Sequence, residues 1–176
     1  FALHGGPKYS PDGRFVFFAS RDGWISKYDI YNRKTVSEVR AAINTRNIAI
    51  SNDGQYLIVG NYLPNNVVIL KTSDLSPLKV IAAIDKDGNS SRVSAVYNAP
   101  PRHSFIVALK DVKEVWEIPY SDKGGVEVFK GWAHDYKNEA KAEGWKHDLS
   151  KESEQFPIRR IKTDDYLNDF FFDPDY

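Results

Sequence analysis

The chain has 176 residues, 24 lysines and arginines against 24 aspartates and glutamates, 41% hydrophobic residues and no cysteine. The length fits one domain with a packed core, and the balanced charge gives no electrostatic reason for nucleic acid or an anionic membrane surface as partner. Disulfides, thiolate metal sites and covalent haem c attachment are excluded for a chain without cysteine, and no apolar run approaches the roughly 20 residues of a membrane-spanning helix.

The chain opens on "FALHGGPKYS", in which His4 stands before Gly5-Gly6, a pair that lets the backbone approach a partner closely. Ser10-Pro11-Asp12-Gly13 then predicts a hairpin turn, Asp-Gly supplying the positive φ angles of a two-residue loop. Aromatic and β-branched residues fill the strand that follows, "RFVFFAS". Arg21-Asp22-Gly23 turns it into "WISKYDI", and the polar "YNRKT" leads to a last strand, "VSEVRA".

The same order returns at Ser51-Asn52-Asp53-Gly54, 41 residues after Ser10 (51 minus 10). "YLIVGN" turns through "YLPNN" into "VVILKT", and "SDLSP" leads to "LKVIAA". A weaker third copy is "SRVSAVYNAPPRHSFIVALKDVKEVWEIPY", residues 91–120, with its turn at Ala99-Pro100-Pro101-Arg102-His103. Residues 131–165 break the pattern, being polar and charged with one short helix-compatible stretch, "DYKNEAKAE". Such an insertion is either a solvated loop or part of a binding face. A fourth copy begins at "DFFFDPDY", with Asp173-Pro174-Asp175 in the Ser-Pro-Asp place.

Four short strands per unit at a period of roughly 40 to 45 residues is the signature of a β-propeller blade. A β-sandwich has no reason to repeat one turn at a fixed offset. The expected fold is therefore all-β, with blades at about residues 1–42, 43–84 and 88–130, the insertion at 131–165 and the next blade starting at 166–176. Propellers typically carry 4 to 8 blades, so these are expected to be part of a longer ring. Open blade edges would favour an oligomer or a swapped assembly.

The loops leading to a propeller's inner strands converge on its central channel. His4, placed there, is either a structural histidine or an axial ligand through neutral imidazole. His103, His134 and His147 show no close metal-ligand spacing with it, which speaks against a mononuclear zinc site. Arg46 in "NTRNIAIS" and Arg92 in "SSRVSAVY" each precede an inner-strand pattern, and Lys8 holds a related place. These cations either clamp a ligand's carboxylates or pair with acids of a neighbouring blade. No nucleophile elbow, P-loop or dinucleotide fingerprint is present. The carboxylate pairs Asp164-Asp165 and Asp173/Asp175 sit in turns, where such acids are ordinarily solvated.

"FALHGGPKYSPDGRFVFFASRDGWISKYDI", "INTRNIAISNDGQYLIVGNYLP" and "SSRVSAVYNAPPRHSFIVALKDVKEVWEI" together resemble the haem d1 domain of cytochrome cd1 nitrite reductases and their relatives. The likeness covers about the first 120 residues and the tail "DDYLNDFFFDPDY". It implies an eight-bladed ring in the periplasm holding haem d1, His4 as the iron ligand, and Arg21, Arg46, Tyr62, Arg92 and Lys110 lining the pocket. Asp111-Val112 beside Lys110 departs from the reductase pattern. "VALKDVKEVWEIPY" and "LNDFFFDPDY" resemble the branch that dehydrogenates dihydro-haem d1, passing electrons to a haem c on a separate domain or a c-type cytochrome partner. The reductases carry a histidine where this chain reads Tyr166-Leu167-Asn168-Asp169. That absence argues against nitrite reduction, since the distal histidines help protonate nitrite. Three other readings stay open: a nitrite reductase domain, a haem d1 carrier without turnover, and a bare scaffold for protein partners. A piece with an open channel is expected to hold haem weakly. The likeness names no catalytic residue.

Overall fold

The computed structural model describes residues 5–121 and 155–172. Its strands are β1 (Lys8–Tyr9), β2 (Phe15–Ala19), β3 (Trp24–Asp29), β4 (Lys34–Arg40), β5 (Asn44–Ile50), β6 (Tyr56–Leu63), β7 (Asn66–Lys71), β8 (Pro77–Ala82), β9 (Val93–Ala99), β10 (Ser104–Leu109), β11 (Glu114–Pro119) and β12 (Arg159–Lys162). They form three antiparallel four-stranded sheets, β1-β2-β3-β4, β5-β6-β7-β8 and β9-β10-β11-β12, each a propeller blade built in chain order.

The sheets stack face to face, which explains the composition of their strands. Leu57 and Val59 of β6, with Val68 and Leu70 of β7, turn to the first sheet and meet Phe17 and Ile25. The alternate residues Ile58, Val67 and Ile69 turn to the third sheet and meet Val93, Phe105, Val107 and Trp116. A strand buried on both faces reads as a continuous apolar run rather than an alternating one, and "YLIVG" and "VVIL" are such runs. Gly60 marks a close approach of the second sheet to the third, because a Cβ there would come within 2.7 Å of Val93 Cγ1 and 2.9 Å of Val96 Cγ1.

The repeated turn is a hydrogen-bonding module. Ser10 N–H donates to Phe15 O and Gly13 N–H to Ser10 O, both at 2.9 Å. The Ser10 hydroxyl accepts from Phe15 N and donates to Asp12 Oδ1, which also accepts from Arg14 N. Ser51, Asp53, Gly54, Gln55 and Tyr56 repeat every one of these bonds. Of each Asp-Gly pair only the glycine has positive φ, +69° at Gly13 and +71° at Gly54. The loop is thus a longer one with glycine in the left-handed position, not the two-residue turn expected. Ser20-Arg21-Asp22-Gly23 reuses the pattern between β2 and β3, with Gly23 N–H on Ser20 O at 3.0 Å and the Ser20 hydroxyl on Asp22 Oδ1.

The structure also assigns a strand that sequence reading placed in the insertion. Arg159–Lys162 closes the third sheet by pairing Glu117 with Arg159 and Glu114 with Lys162. Buried Glu117 takes two bonds from Arg102, at 2.8 and 2.7 Å, and one from Arg159. Buried Glu114 accepts from Trp116 Nε1 at 2.9 Å and from Arg160 Nη1 at 3.1 Å, and Arg160 stacks over Trp116. Ion pairs across 42 to 46 positions of sequence hold this strand, and no local pattern signals them. Residues 166–172 run past β9 without strand pairing, with Phe170 edge-on to Tyr97 at 4.9 Å.

Two outcomes test this packing. Gly23 has φ +91°, and a Cβ there would lie 1.9 Å from Ala42 O, whereas nothing stands within 4 Å of one at Gly13. Urea unfolding should show Gly23→Ala costing about 3 kcal/mol or more and Gly13→Ala only about 1–2 kcal/mol, the left-handed backbone cost alone. Second, the Asn32 backbone N–H, then its side chain and Arg14, hold the Asp29 carboxyl at about 2, against an ordinary 3.8. A carboxyl lowered in the folded state stabilises it above the unfolded value, and that contribution is lost as pH falls through the folded one. Urea midpoints should therefore drop between about pH 4 and pH 2, with a smaller drop in Asp29→Asn.

Candidate functional site

In an antiparallel blade the start of the inner strand lies beside the turn that follows the second strand. Asn44 pairs with Leu63 and Val93 with Leu109. One rim of the stacked sheets therefore gathers Gly5 to Lys8, the turn at Arg21, the start of β5 with Arg46, the turn after Tyr62, and Arg92 with Lys110. The Ser-x-Asp-Gly turns at Ser10 and Ser51 and the 3-10 turn Pro100–Arg102 lie at the opposite end.

Three of the expected residues are in contact. The Arg92 guanidinium lies 5.4 Å and the Lys110 ammonium 5.9 Å from the centre of the Tyr62 ring, so two cations share one aromatic ring. Lys110 N–H donates to Arg92 O at 2.9 Å, which joins the two chain segments. The Lys110 ammonium donates to Asn168 Oδ1 at 2.7 Å. Arg92 is paired with Asp111 in a two-point ion pair, and that hydrogen bond raises the Arg92 pKa. Arg92 thus pairs with an acid of its own blade, not with one of a neighbouring blade.

Arg46 and Arg21 stand on the same rim around this cluster. Thr45 N–H donates to Arg21 O at 3.2 Å, placing the exposed Arg21 one blade from Arg46. Thr45 Oγ1 donates to Asn61 Oδ1, and Asn61 Nδ2 to Asn66 Oδ1, both at 2.8 Å, a buried polar chain that fixes the second blade's end of the rim. Tyr97 donates to Asp169 Oδ1 at 3.0 Å. Burial first, then that bond, pushes the Tyr97 phenol up, with Arg46 opposing.

His4, like His134, His147, Asp173 and Asp175, lies outside the described residues. Its neighbour Gly5 has φ +76°, and a Cβ on it would come 3.3 Å from Asn47 Oδ1 and 3.9 Å from Arg46 O. The chain after His4 therefore rests on the strand that bears Arg46. His103 has φ +46° and ends the 3-10 turn at the opposite end. Asp164 and Asp165 are exposed. Among the described residues no group of three or more His, Cys, Asp or Glu side chains could hold a metal ion, and no helix is long and apolar enough to cross a membrane.

The rim presents cations and one aromatic face, a donor set suited to a flat ligand bearing carboxylates. Sequence reading missed Asp111 and Asn168 as partners of the site. Asp111 stood out only as a departure from the reductase pattern, and Asn168 only as the place of a missing histidine.

Comparison with known proteins agrees with the propeller fold. The chain is 52% identical over all 176 residues to a protein named dihydro-heme d1 dehydrogenase from Pseudomonas aeruginosa, of which it covers 30%. It superposes with a TM-score of 0.80, at 52% identity and over its full length, on 32% of a solved chain, dihydro-heme d1 dehydrogenase NirN in complex with DHE. The β-propeller domain of Myceliophteria thermophila Cps50 (Swd1) matches at a TM-score of 0.55 over 69% of this chain and 37% of that one. Its 15% identity makes that a likeness of fold alone. The chain thus spans about a third of the Pseudomonas aeruginosa relative and of the solved NirN chain. Residues 1–143 match the family model described as Cytochrome D1 heme domain, and the chain belongs to that family.

Proposed function

We propose that this chain forms part of the wall that binds haem d1 or its dihydro precursor, in a protein that dehydrogenates dihydro-haem d1. The observation that carries the reading is the rim cluster of Tyr62, Arg92 and Lys110, two cations on one aromatic face, in a chain of the Cytochrome D1 heme domain family. Arg92 and Lys110 bind and orient carboxylates, Tyr62 lies against the flat ring, and Arg21 and Arg46 extend the positive rim toward the segment that bears His4. His4 is the proposed iron ligand.

The tetrapyrrole, when bound, supplies the redox chemistry. In the reaction two C–H bonds of a propionate side chain break and a C=C bond forms. Two protons leave to solvent or a base, and two electrons leave to a haem c on another domain or a c-type cytochrome partner. The chain's own residues position that side chain and neutralise its carboxylates. A periplasmic location and an eight-bladed ring belong to the same proposal and rest on the resemblance, and assembly through open blade edges rests on the pairing tendency of unpaired strands.

Asn168, within hydrogen-bond reach of Lys110, favours dehydrogenation over nitrite reduction. It sits on the rim in the stretch where the reductases carry a histidine, and an amide side chain does not shuttle protons to nitrite.

The full-length protein titrated with dihydro-haem d1 should shift the absorbance of the tetrapyrrole. Arg92→Ala and Lys110→Ala should each weaken binding about tenfold, the worth of a charge-assisted hydrogen bond. His4→Ala should change the iron spectrum with a smaller loss of affinity. Turnover should be seen with dihydro-haem d1 and not with nitrite. Nitrite reduction, binding without turnover, or no binding would favour in turn the reductase, the carrier and the scaffold.

A further inference from the structure

We infer that Asp111 is a positioning residue that turns Arg92 into a fixed two-point clamp for a ligand carboxylate; this rests on the tetrapyrrole reading above. Asp111 Oδ2 accepts from both the backbone N–H and the Nε–H of Arg92 at 2.9 Å. Its Oδ1 accepts from Arg92 Nη2 at 2.5 Å. A guanidinium has five N–H donors, and the pair with Asp111 uses the Nε–H and one of those on Nη2. Three remain, two on Nη1 and one on Nη2, and one from each nitrogen points along the terminal edge of the guanidinium. That edge is a second planar fork of the width a carboxylate needs.

Asp111 is itself fixed. Its backbone N–H donates to the hydroxyl of buried Ser91 at 2.9 Å. Arg92 is in turn bounded by the Tyr62 ring. A long side chain that would otherwise sample many rotamers is thus held on one side by a carboxylate and on one face by an aromatic ring. The entropy of ordering it is lost before a ligand arrives. The side chains remain 43% and 34% exposed, so the terminal edge stays within reach of a ligand. The hydrogen bonds from Arg92, its side chain first, lower the Asp111 carboxyl and keep it ionised at neutral pH.

The alternative is that Asp111 competes with the ligand for Arg92, and the two roles predict opposite results. The test measures, in the full-length protein, the dissociation constants of dihydro-haem d1 as the free acid and as its methyl ester. For the unaltered protein the acid should bind about tenfold or more tightly than the ester. Asp111→Ala should weaken the acid about tenfold and leave the ester within about twofold. Asp111→Asn, which keeps the shape of the side chain, should move the acid in the same direction. Arg92→Ala should abolish the effect of Asp111→Ala, the mark of a residue acting through another. Equal weakening of acid and ester would show a merely structural role, and unchanged or tighter acid binding would show a competitor; either overturns the inference. If the unaltered protein binds neither form, the tetrapyrrole reading falls and takes the clamp with it; if it binds both forms alike, the clamp alone falls.

Discussion

The middle sheet is buried on both of its faces, and the placement of the described site residues at the strand ends follows from that. Stacking sheets face to face removes both sides of each strand from water, so β6 and β7 have apolar residues at consecutive positions. Burying a charge in such a stack would be costly without a partner. Among the described residues the charged side chains that do enter it each have a partner: Asp29, Glu114 and Glu117 are matched by arginines, and Lys27 donates to Ser73 O. Chemistry is thereby confined to the strand ends, and the two ends of the stack are left to divide the work.

That division is visible in the turns. One end has the Ser-x-Asp-Gly modules at Ser10 and Ser51, in which the serine hydroxyl and the aspartate accept from the loop's own N–H groups. The other end has Arg46, Tyr62, Arg92 and Lys110 at or beside its connections. The polar atoms of Arg92 and Lys110 are oriented by neighbours without being used up. Asp111 takes one edge of Arg92 and leaves the other, and Asn168 takes one of the three donors of Lys110. A rigid end and a receptive end on one stack fit a scaffold that presents a rim to a flat anionic ligand.

How much of this was legible in the sequence depended on the range of the interactions involved. Blades one and two could be read directly, because Ser10 to Phe15 and Ser51 to Tyr56 hold their turns with bonds spanning at most five residues. The site residues Arg46 and Arg92 could be placed on one rim from their shared position before an inner strand. The strand Arg159–Lys162 could not be read, since its partners Glu114 and Glu117 lie across a long polar segment. Asp111 was hidden for a different reason. An acid following a lysine in a turn looks solvated until the fold sets it beside Arg92, 19 residues away. Register and spacing reveal which end a residue occupies; which groups touch there is decided by tertiary packing.

A structure of the full-length protein with dihydro-haem d1 bound would test the central claim most directly. The account predicts a ligand carboxylate within about 3 Å of Arg92 Nη1 and of the Lys110 ammonium, the ring plane against Tyr62, and His4 on the iron. A tetrapyrrole bound at the end formed by the Ser10 and Ser51 turns, or one at this rim with its carboxylates turned away from Arg92 and Lys110, would contradict it.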